Sequence, residues 1–339
     1  MRTDLFIAQR IQNSKIYKNS VSAPIVKIAT AAIAISTLIM IVAIATGLGL
    51  QQKIREKVAA FNGHIQISNF DNNKSEVSIS SVSKQQGFYP NPENLQGVAH
   101  IQAVAAVAGI IRTEDNFEGV ILKGVDSNYR WTYLQEFLIE GRLPDYSAAL
   151  NTEVLISSYL AQRLNFKLGD KLICYFLKDS NSANTRRFDI VGIYDSGFRD
   201  FDQKYMIGDI RHIQRIMKWD PDDVGHFEVF VEDFKELEDL NLSIYEQLPI
   251  HLNSISLRER FPSIFDWIDL FEVNIFGIIG IMLLIGGFNM ITALLVLIFE
   301  RSYMIGVLKS VGANYKLIRN VFLINALHIV GKGLLWGNL

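Results

Sequence analysis

The sequence predicts an α/β membrane protein: transmembrane helices with a large mixed α/β extracytoplasmic domain inserted between helices 1 and 2. Three observations predict this class. Two charge-free apolar runs, Ile28 to Leu50 and Val273 to Phe299, bracket a polar stretch that fills residues 51–272. At about 1.5 Å rise per residue the runs reach about 35 and 40 Å, enough for a hydrocarbon core of about 30 Å. The stretch between them alternates strand-like and helix-like patterns, as a mixed domain does.

Charge orients the chain. Residues 51–272 hold 23 Lys and Arg against 33 Asp and Glu, a net of −10. Arg2, Arg10, Lys15, Lys18 and Lys27 precede the first run against Asp4 alone, and Arg301, Lys309, Lys316 and Arg319 follow the second against Glu300. Short basic flanks stay in the cytoplasm, whereas a long loop crosses largely regardless of its charge. Residues 1–27 are therefore expected inside, 28–50 as transmembrane helix 1, 51–272 outside with helical stalks, 273–299 as helix 2, 300–319 inside, and 320–339 as the start of a third, truncated helix. So long an apolar run behind a long charged lead marks an uncleaved anchor rather than a signal peptide.

Ile54, Val58 and Phe61 continue the first run at helical spacing as a stalk, which Asn62-Gly63 ends. His64 to Ser68 alternates as a strand, and the Ser/Asn-rich segment Asp71 to Gln86 reads as a mobile loop. Further strands are expected at Val104 to Ile111, Gly119 to Val125, Leu172 to Leu177, Phe188 to Tyr194 and His226 to Val231. Helices are expected at Tyr159 to Leu164, Asp209 to Met217 and Lys235 to Gln247. The polar segment Lys178 to Arg187 reads as a long hairpin loop. Ser256 to Glu272 puts Leu257, Phe261, Ile264, Phe265 and Ile268 at helical spacing, a second stalk ahead of helix 2.

Several function classes drop out. Cys174 is the only cysteine, so no internal disulfide forms, and its apolar neighbours make it a small core residue. The six histidines are scattered without ligand spacing, so no metal site is expected. No GxxxxGK[ST] pattern occurs, so no nucleotide cofactor is expected on this chain. Asp200 and Asp202 lack an accompanying nucleophile and read as a solvated turn, so the chain is expected not to be an enzyme. Nothing points to a nucleic-acid partner. Gly277, Gly280, Gly286 and Gly287 in the second run suggest close helix packing.

The segment after the second run is the most specific. ERSYMIGVLKSVGANYKLIRNVFL (from Glu300) resembles the ER-x-x-x-I-G-x-L-K-x-x-G-A segment of ABC transporter permeases of the lipoprotein-releasing LolC/LolE type, in the MacB/FtsX superfamily. FNGHIQIS (from Phe61), EGRLP (from Glu140), LGDKL (from Leu168), RRFDIVGIYDSGFRDFDQKYMI (from Arg186) and GGFNMITALLVLIFERS (from Gly286) are similar to that family in the same order.

The resemblance implies a bacterial inner-membrane, multi-pass permease with four membrane helices and a MacB-like periplasmic domain between the first and second. It implies a cytoplasmic ABC ATPase subunit, carrying ATP and Mg, that contacts Glu300, Arg301, Gly306, Lys309, Gly312 and Ala313. It further implies a second permease copy or paralogue, a lipoprotein or other amphiphilic cargo, contact with membrane lipids, and in some members a periplasmic carrier held by a hairpin loop. The matching loop here, with Lys178, Asn181, Arg186 and Arg187 as its carrier-facing candidates, is wholly polar and lacks the apolar anchors of an interface hot spot. The implied function is ATP-driven release of lipoproteins toward the outer membrane. Alternatives are an FtsX-like regulator of cell-wall hydrolases, MacB-like efflux of another amphiphile, and a two-helix sensor receptor.

Overall fold

The computed structural model describes residues 22–72, 75–90, 95–179 and 182–339. Most of the expected cytoplasmic lead and Asn181 therefore lie outside the described residues. Gln52–Phe265 form one compact unit, and the described residues before and after it form a second.

In chain order the elements are α1 (Ser22–Asn62), β1 (Ile65–Asn69), β2 (Val82–Ser83), β3 (Val98–Arg112), β4 (Phe117–Val125), α2 (Thr132–Phe137), β5 (Leu138–Gly141), β6 (Glu153–Ser157) and α3 (Ser158–Leu164). There follow β7 (Lys171–Asp179), β8 (Ser182–Tyr194), α4 (Arg199–Asp202), β9 (Tyr205–Asp209), α5 (Ile210–Met217), β10 (Asp223–Val224), β11 (His226–Val231), α6 (Leu237–Gln247), β12 (Leu252–Ser256) and α7 (Leu257–Arg260). The chain closes with α8 (Pro262–Glu300), α9 (Ser302–Ser310) and α10 (Tyr315–Asn338).

In the membrane unit, α1, α8 and α10 are each long and apolar enough to span a bilayer. Their mostly apolar surface suits lipid, and their mutual contacts are few and tight. Ala29 and Ile33 of α1, Ala293 of α8 and Ile329 of α10 form one buried cluster. Gly333 and Gly337 make a GxxxG pair whose missing side chains admit α1: a Cβ would meet Ile33 Cγ2 at 2.6 Å in the first case and the Ala34 carbonyl at 2.6 Å in the second. Gly47 does the same for α8, since a Cβ there would clash with Ile275 Cδ1. Gly277, Gly280, Gly286 and Gly287 have no atom of the chain within 4 Å of the Cβ each lacks. The close packing expected of them is not made among the described residues. The third helix begins at Tyr315, not Asn320, because Asn314 caps it by accepting from Leu317 N at 2.9 Å.

In the other unit a ten-stranded sheet runs in the order β12-β1-β11-β3-β4-β9-β6-β8-β5, with β7 paired to β3 and β8. One face carries Ile67, Ala103, Leu122, Phe227 and Val229, which join Ile210 and Ile213 of α5 and Leu237 and Ile244 of α6 in the main core. Cys174 belongs to this core, and burial raises its thiol pKa to about 12.

Three expectations are corrected. Among the described residues, Lys178–Asp179 and 182–187 are ladder rather than long loop: β7 and β8 pair from Lys171↔Asp189 out to Asp179↔Ser182. Among its described residues, the segment Asp71 to Gln86 is pinned rather than mobile. Asn72 is buried, donates to Ser80 O at 2.7 Å and Gly225 O at 3.1 Å, and accepts from Ile79 N at 2.8 Å. The second stalk is interrupted: α7 stops at Phe261, with φ −123 and ψ 56, and α8 starts at Pro262. Proline has no N–H to continue a helix and pushes the residue before it out of the helical region.

Candidate functional site

Two regions bring functional residues together, one in each unit. In the membrane unit, α9 and the turn after it occupy the predicted coupling segment. Met304 and Ile305 pack on Leu297, Ile318 and Phe322, so α9 is seated by its inner face. Its outer face leaves Tyr303, Val307 and Val311 exposed at helical spacing, with Tyr315 exposed just beyond. Gly306 lies on the open side, with nothing within 4 Å of the Cβ it lacks.

Gly312 serves the backbone. At φ +92 it ends α9 in a Schellman turn, in which Ala313 N donates to Leu308 O at 2.9 Å and Gly312 N to Lys309 O at 3.0 Å. Lys309 Nζ spans that turn to donate to Tyr315 Oη at 2.9 Å. Glu300 closes α8 and Arg301 stands at the junction with α9. The six predicted residues thus share one short segment, but the apolar face beside them was not read from the sequence. Its signal was Tyr303, Val307 and Val311 at steps of four.

The same unit holds an open apolar groove of about 450 Å³ between α1 and α8. Leu38, Val42, Leu50, Phe271, Ile275 and Ile278 line it, with Thr46 and Asn274 as polar exceptions.

In the sheet-bearing unit the second region is where the last turn of α1 meets the sheet. Gly63, at φ +68, turns the chain out of the helix, and a Cβ there would lie 2.9 Å from Glu228 Cβ. Phe61 is buried among the rings of Phe137, Tyr194, Phe201 and Tyr205, with Phe201 closest at 4.9 Å between centroids. Its carbonyl accepts from Lys123 Nζ at 2.7 Å, and the Ala60 carbonyl accepts from Tyr129 Oη at 3.4 Å. Lys123 Nζ also stands 2.6 Å from Glu228 Oε1, the two side chains being 3% and 1% exposed.

The register explains this meeting. Gln102 faces Glu228 across β3 and β11, and Ala106 faces Lys123 across β3 and β4. Residues 102 and 106 share a strand face, so all three polar side chains stand on the side opposite the core. Gln102 Nε2 donates to Glu228 Oε2 at 2.7 Å, and its Oε1 accepts from Arg130 N at 2.9 Å. Burial disfavours the Glu228 carboxylate, but the Lys123 ammonium overrides it and holds the carboxyl below its usual range. Burial also pulls Lys123 below the usual lysine range, against the pull of Glu228.

The start of the second stalk lies one strand away. β1 pairs antiparallel with β12, and Leu257 N donates to His64 O at 2.8 Å. His64 Nδ1 accepts from Val231 N at 3.0 Å, and burial, aided by Arg130, lowers its pKa to about 4.

The remaining candidates stay apart. Arg186 and Arg187 sit on β8 opposite Cys174 and Ile173 of β7, and Lys178 lies on the outer part of β7. Asp202 is buried rather than solvated and accepts from Ser196 Oγ at 2.7 Å, a local turn contact.

Comparisons with known proteins agree in kind. Residues 28–240 match the MacB-like periplasmic core domain family, and residues 276–339 match the FtsX-like permease C-terminal family. The lipoprotein-releasing system transmembrane protein LolE of Haemophilus influenzae is 21% identical over 99% of this chain and 81% of its own length. Among solved structures, the extracellular domain of the noncanonic ABC-type transporter YknZ from Gram-positive bacteria is 14% identical, with a TM-score of 0.38 over 57% of this chain and 99% of that one. The periplasmic region of MacB from Actinobacillus actinomycetemcomitans is 15% identical, with a TM-score of 0.38 over 61% of this chain and 95% of that one.

Proposed function

This chain belongs to the MacB/FtsX superfamily of ABC transporter permeases, and on that premise we propose that it is the membrane subunit of a lipoprotein-releasing machine of the LolC/LolE type. A separate ATPase, carrying ATP and Mg, docks on α9 from the cytoplasm. The observation that carries this reading is the two-sided build of α9: Met304 and Ile305 seat it, while Tyr303, Val307 and Val311 remain uncovered beside Gly306. An apolar face rimmed by Lys309 and Arg301 suits a protein groove better than water.

In this reading the inner membrane holds α1, α8 and α10, the N-terminus is cytoplasmic, and residues 52–265 stand in the periplasm. The α1/α8 groove, apolar except for Thr46 and Asn274, takes the acyl chains of the lipoprotein. On α8, Gly277, Gly280 and Gly287 fall on one open side, which receives a second permease, while Gly286 lies opposite Gly277. The β7–β8 hairpin, with Arg186 and Arg187, is the surface offered to a carrier.

The test is depletion of the chain together with isolation of its complex. Lipoproteins accumulating in the inner membrane and an ABC ATPase co-isolating with the chain support the proposal. Normal lipoprotein sorting with failed cell-wall turnover indicates the FtsX-like alternative instead.

A further inference from the structure

A buried ion pair is weak evidence for stability, because two charges taken out of water recover little more than they lose. Lys123 and Glu228 therefore call for another explanation, and their third partner supplies it. The ammonium is shared between the Glu228 carboxylate at 2.6 Å and the Phe61 carbonyl at 2.7 Å. Phe61 lies in the last turn of α1, whose final carbonyls carry the negative end of the helix dipole and have no partners within the helix. Tyr129 adds a second donor there, to Ala60, and its ring lies 5.4 Å from Lys123 Nζ. Gln102 holds the far oxygen of Glu228, and His226 Nε2 stands 3.7 Å from the near one. Lys123 of β4 thus grips the helix end directly, and Glu228 of β11, itself held by Gln102 of β3, fixes Lys123 there by directional polar contacts, which unlike apolar contacts do not slide.

We propose that Lys123 and Glu228 are positioning residues that latch the last turn of α1 to the sheet, so that helix end and sheet move as one body. The proposal rests on the reading of the chain as an ATPase-driven permease, in which α1 is a moving part. It goes beyond that reading by assigning the fastening to one ion pair. The paired apolar replacement separates latch from fold, since it removes both charges and leaves neither unpaired.

The experiment uses the full-length chain with its ATPase in proteoliposomes, with spin labels on cysteines placed at the exposed positions Gln52 and Glu232. Cys174 is buried and stays unlabelled. The parent chain is expected to give one narrow label distance with and without ATP. Lys123→Met combined with Glu228→Met is expected to keep its fold, its ATPase and its ATP turnover, to broaden the distance, and to lose most of its ATP-driven cargo release. Lys123→Arg, which keeps a cation and donors, is expected to restore both. A narrow distance and full release in the double variant would overturn the latch.

Should the double variant fail to fold, Tyr129→Phe removes only the contact to Ala60 and is expected to broaden the distance in part; an unchanged distance there counts against the latch. A parent chain that shows no ATP-driven release would refute the permease reading instead. The label distance in the double variant would still decide the latch.

Discussion

Lys123 donates to the backbone carbonyl of Phe61 at 2.7 Å, from strand β4 to the last turn of helix α1. A buried cation on the carbonyl end of a helix complements its dipole, and Glu228 neutralises that cation. Removing one charge should therefore hurt far more than removing both. Lys123→Met alone is expected to lower unfolding stability by about 3–5 kcal/mol, while Lys123→Met with Glu228→Met loses less, its remaining cost set by the Phe61 carbonyl and the Gln102 amide that then lack their partners. Denaturant unfolding of the purified chain, followed by near-UV signal from the sheet-bearing unit, reads the difference.

Gly306 and Gly312 should separate by role. Gly312→Ala places a Cβ at φ +92 and is expected to destabilise the Schellman turn by about 1 kcal/mol or more. Gly306→Leu meets open space, so it should leave the melting temperature unchanged and reduce ATPase co-isolation. Equal loss of thermal stability from both would show that Gly306 is packed within the chain.

The glycines of the membrane helices divide in the same way. Gly333→Val and Gly337→Val drive a side chain into Ile33, Ala34 and Thr37 of α1, and should lower the melting temperature of the detergent-solubilised monomer. Gly277→Val and Gly280→Val are expected to leave that temperature alone and to alter association with a second permease, read by crosslinking.

His64 makes the sheet-bearing unit acid-sensitive. Its folded pKa of about 4 lies below the unfolded value near 6.5, so its contribution is complete above pH 6.5 and lost as pH falls toward 4. Over that window the loss is about 3 kcal/mol, and protonation of Nδ1 also removes the acceptor for Val231 N. His100, His212 and His226 are shifted the same way by burial and add to the slope. Unfolding measured from pH 7.5 to 4.5 should show a flatter acid limb in His64→Leu than in the parent.

The membrane runs, the stalk that ends at Asn62-Gly63 and the strand from His226 to Val231 were legible because each rests on a local signal: length, a turn glycine, alternation. The Pro262 break shows how a correct helical spacing from Leu257 to Ile268 can hide a local stop. The β7–β8 ladder was hidden because the sequence of its outer part, from Lys178 to Arg187, is almost wholly polar and leaves no alternation to read. Lys123 and Glu228 were invisible for a deeper reason. They meet only through the register of β3, β4 and β11, and a lone charge in a strand reads as solvent-facing until that register is known. In the coupling segment the named residues fell together, but the exposed face of Tyr303, Val307 and Val311 needed the seating of Met304 and Ile305 to be seen.

The most direct measurement of the central claim is photocrosslinking in cells from a reactive amino acid placed at Tyr303, Val307 or Ile305. Docking of an ATPase on the outer face of α9 predicts an adduct with an ABC ATPase from Tyr303 and Val307, and none from the inward-packed Ile305. No ATPase adduct from the exposed positions, or equal adducts from all three, would contradict it.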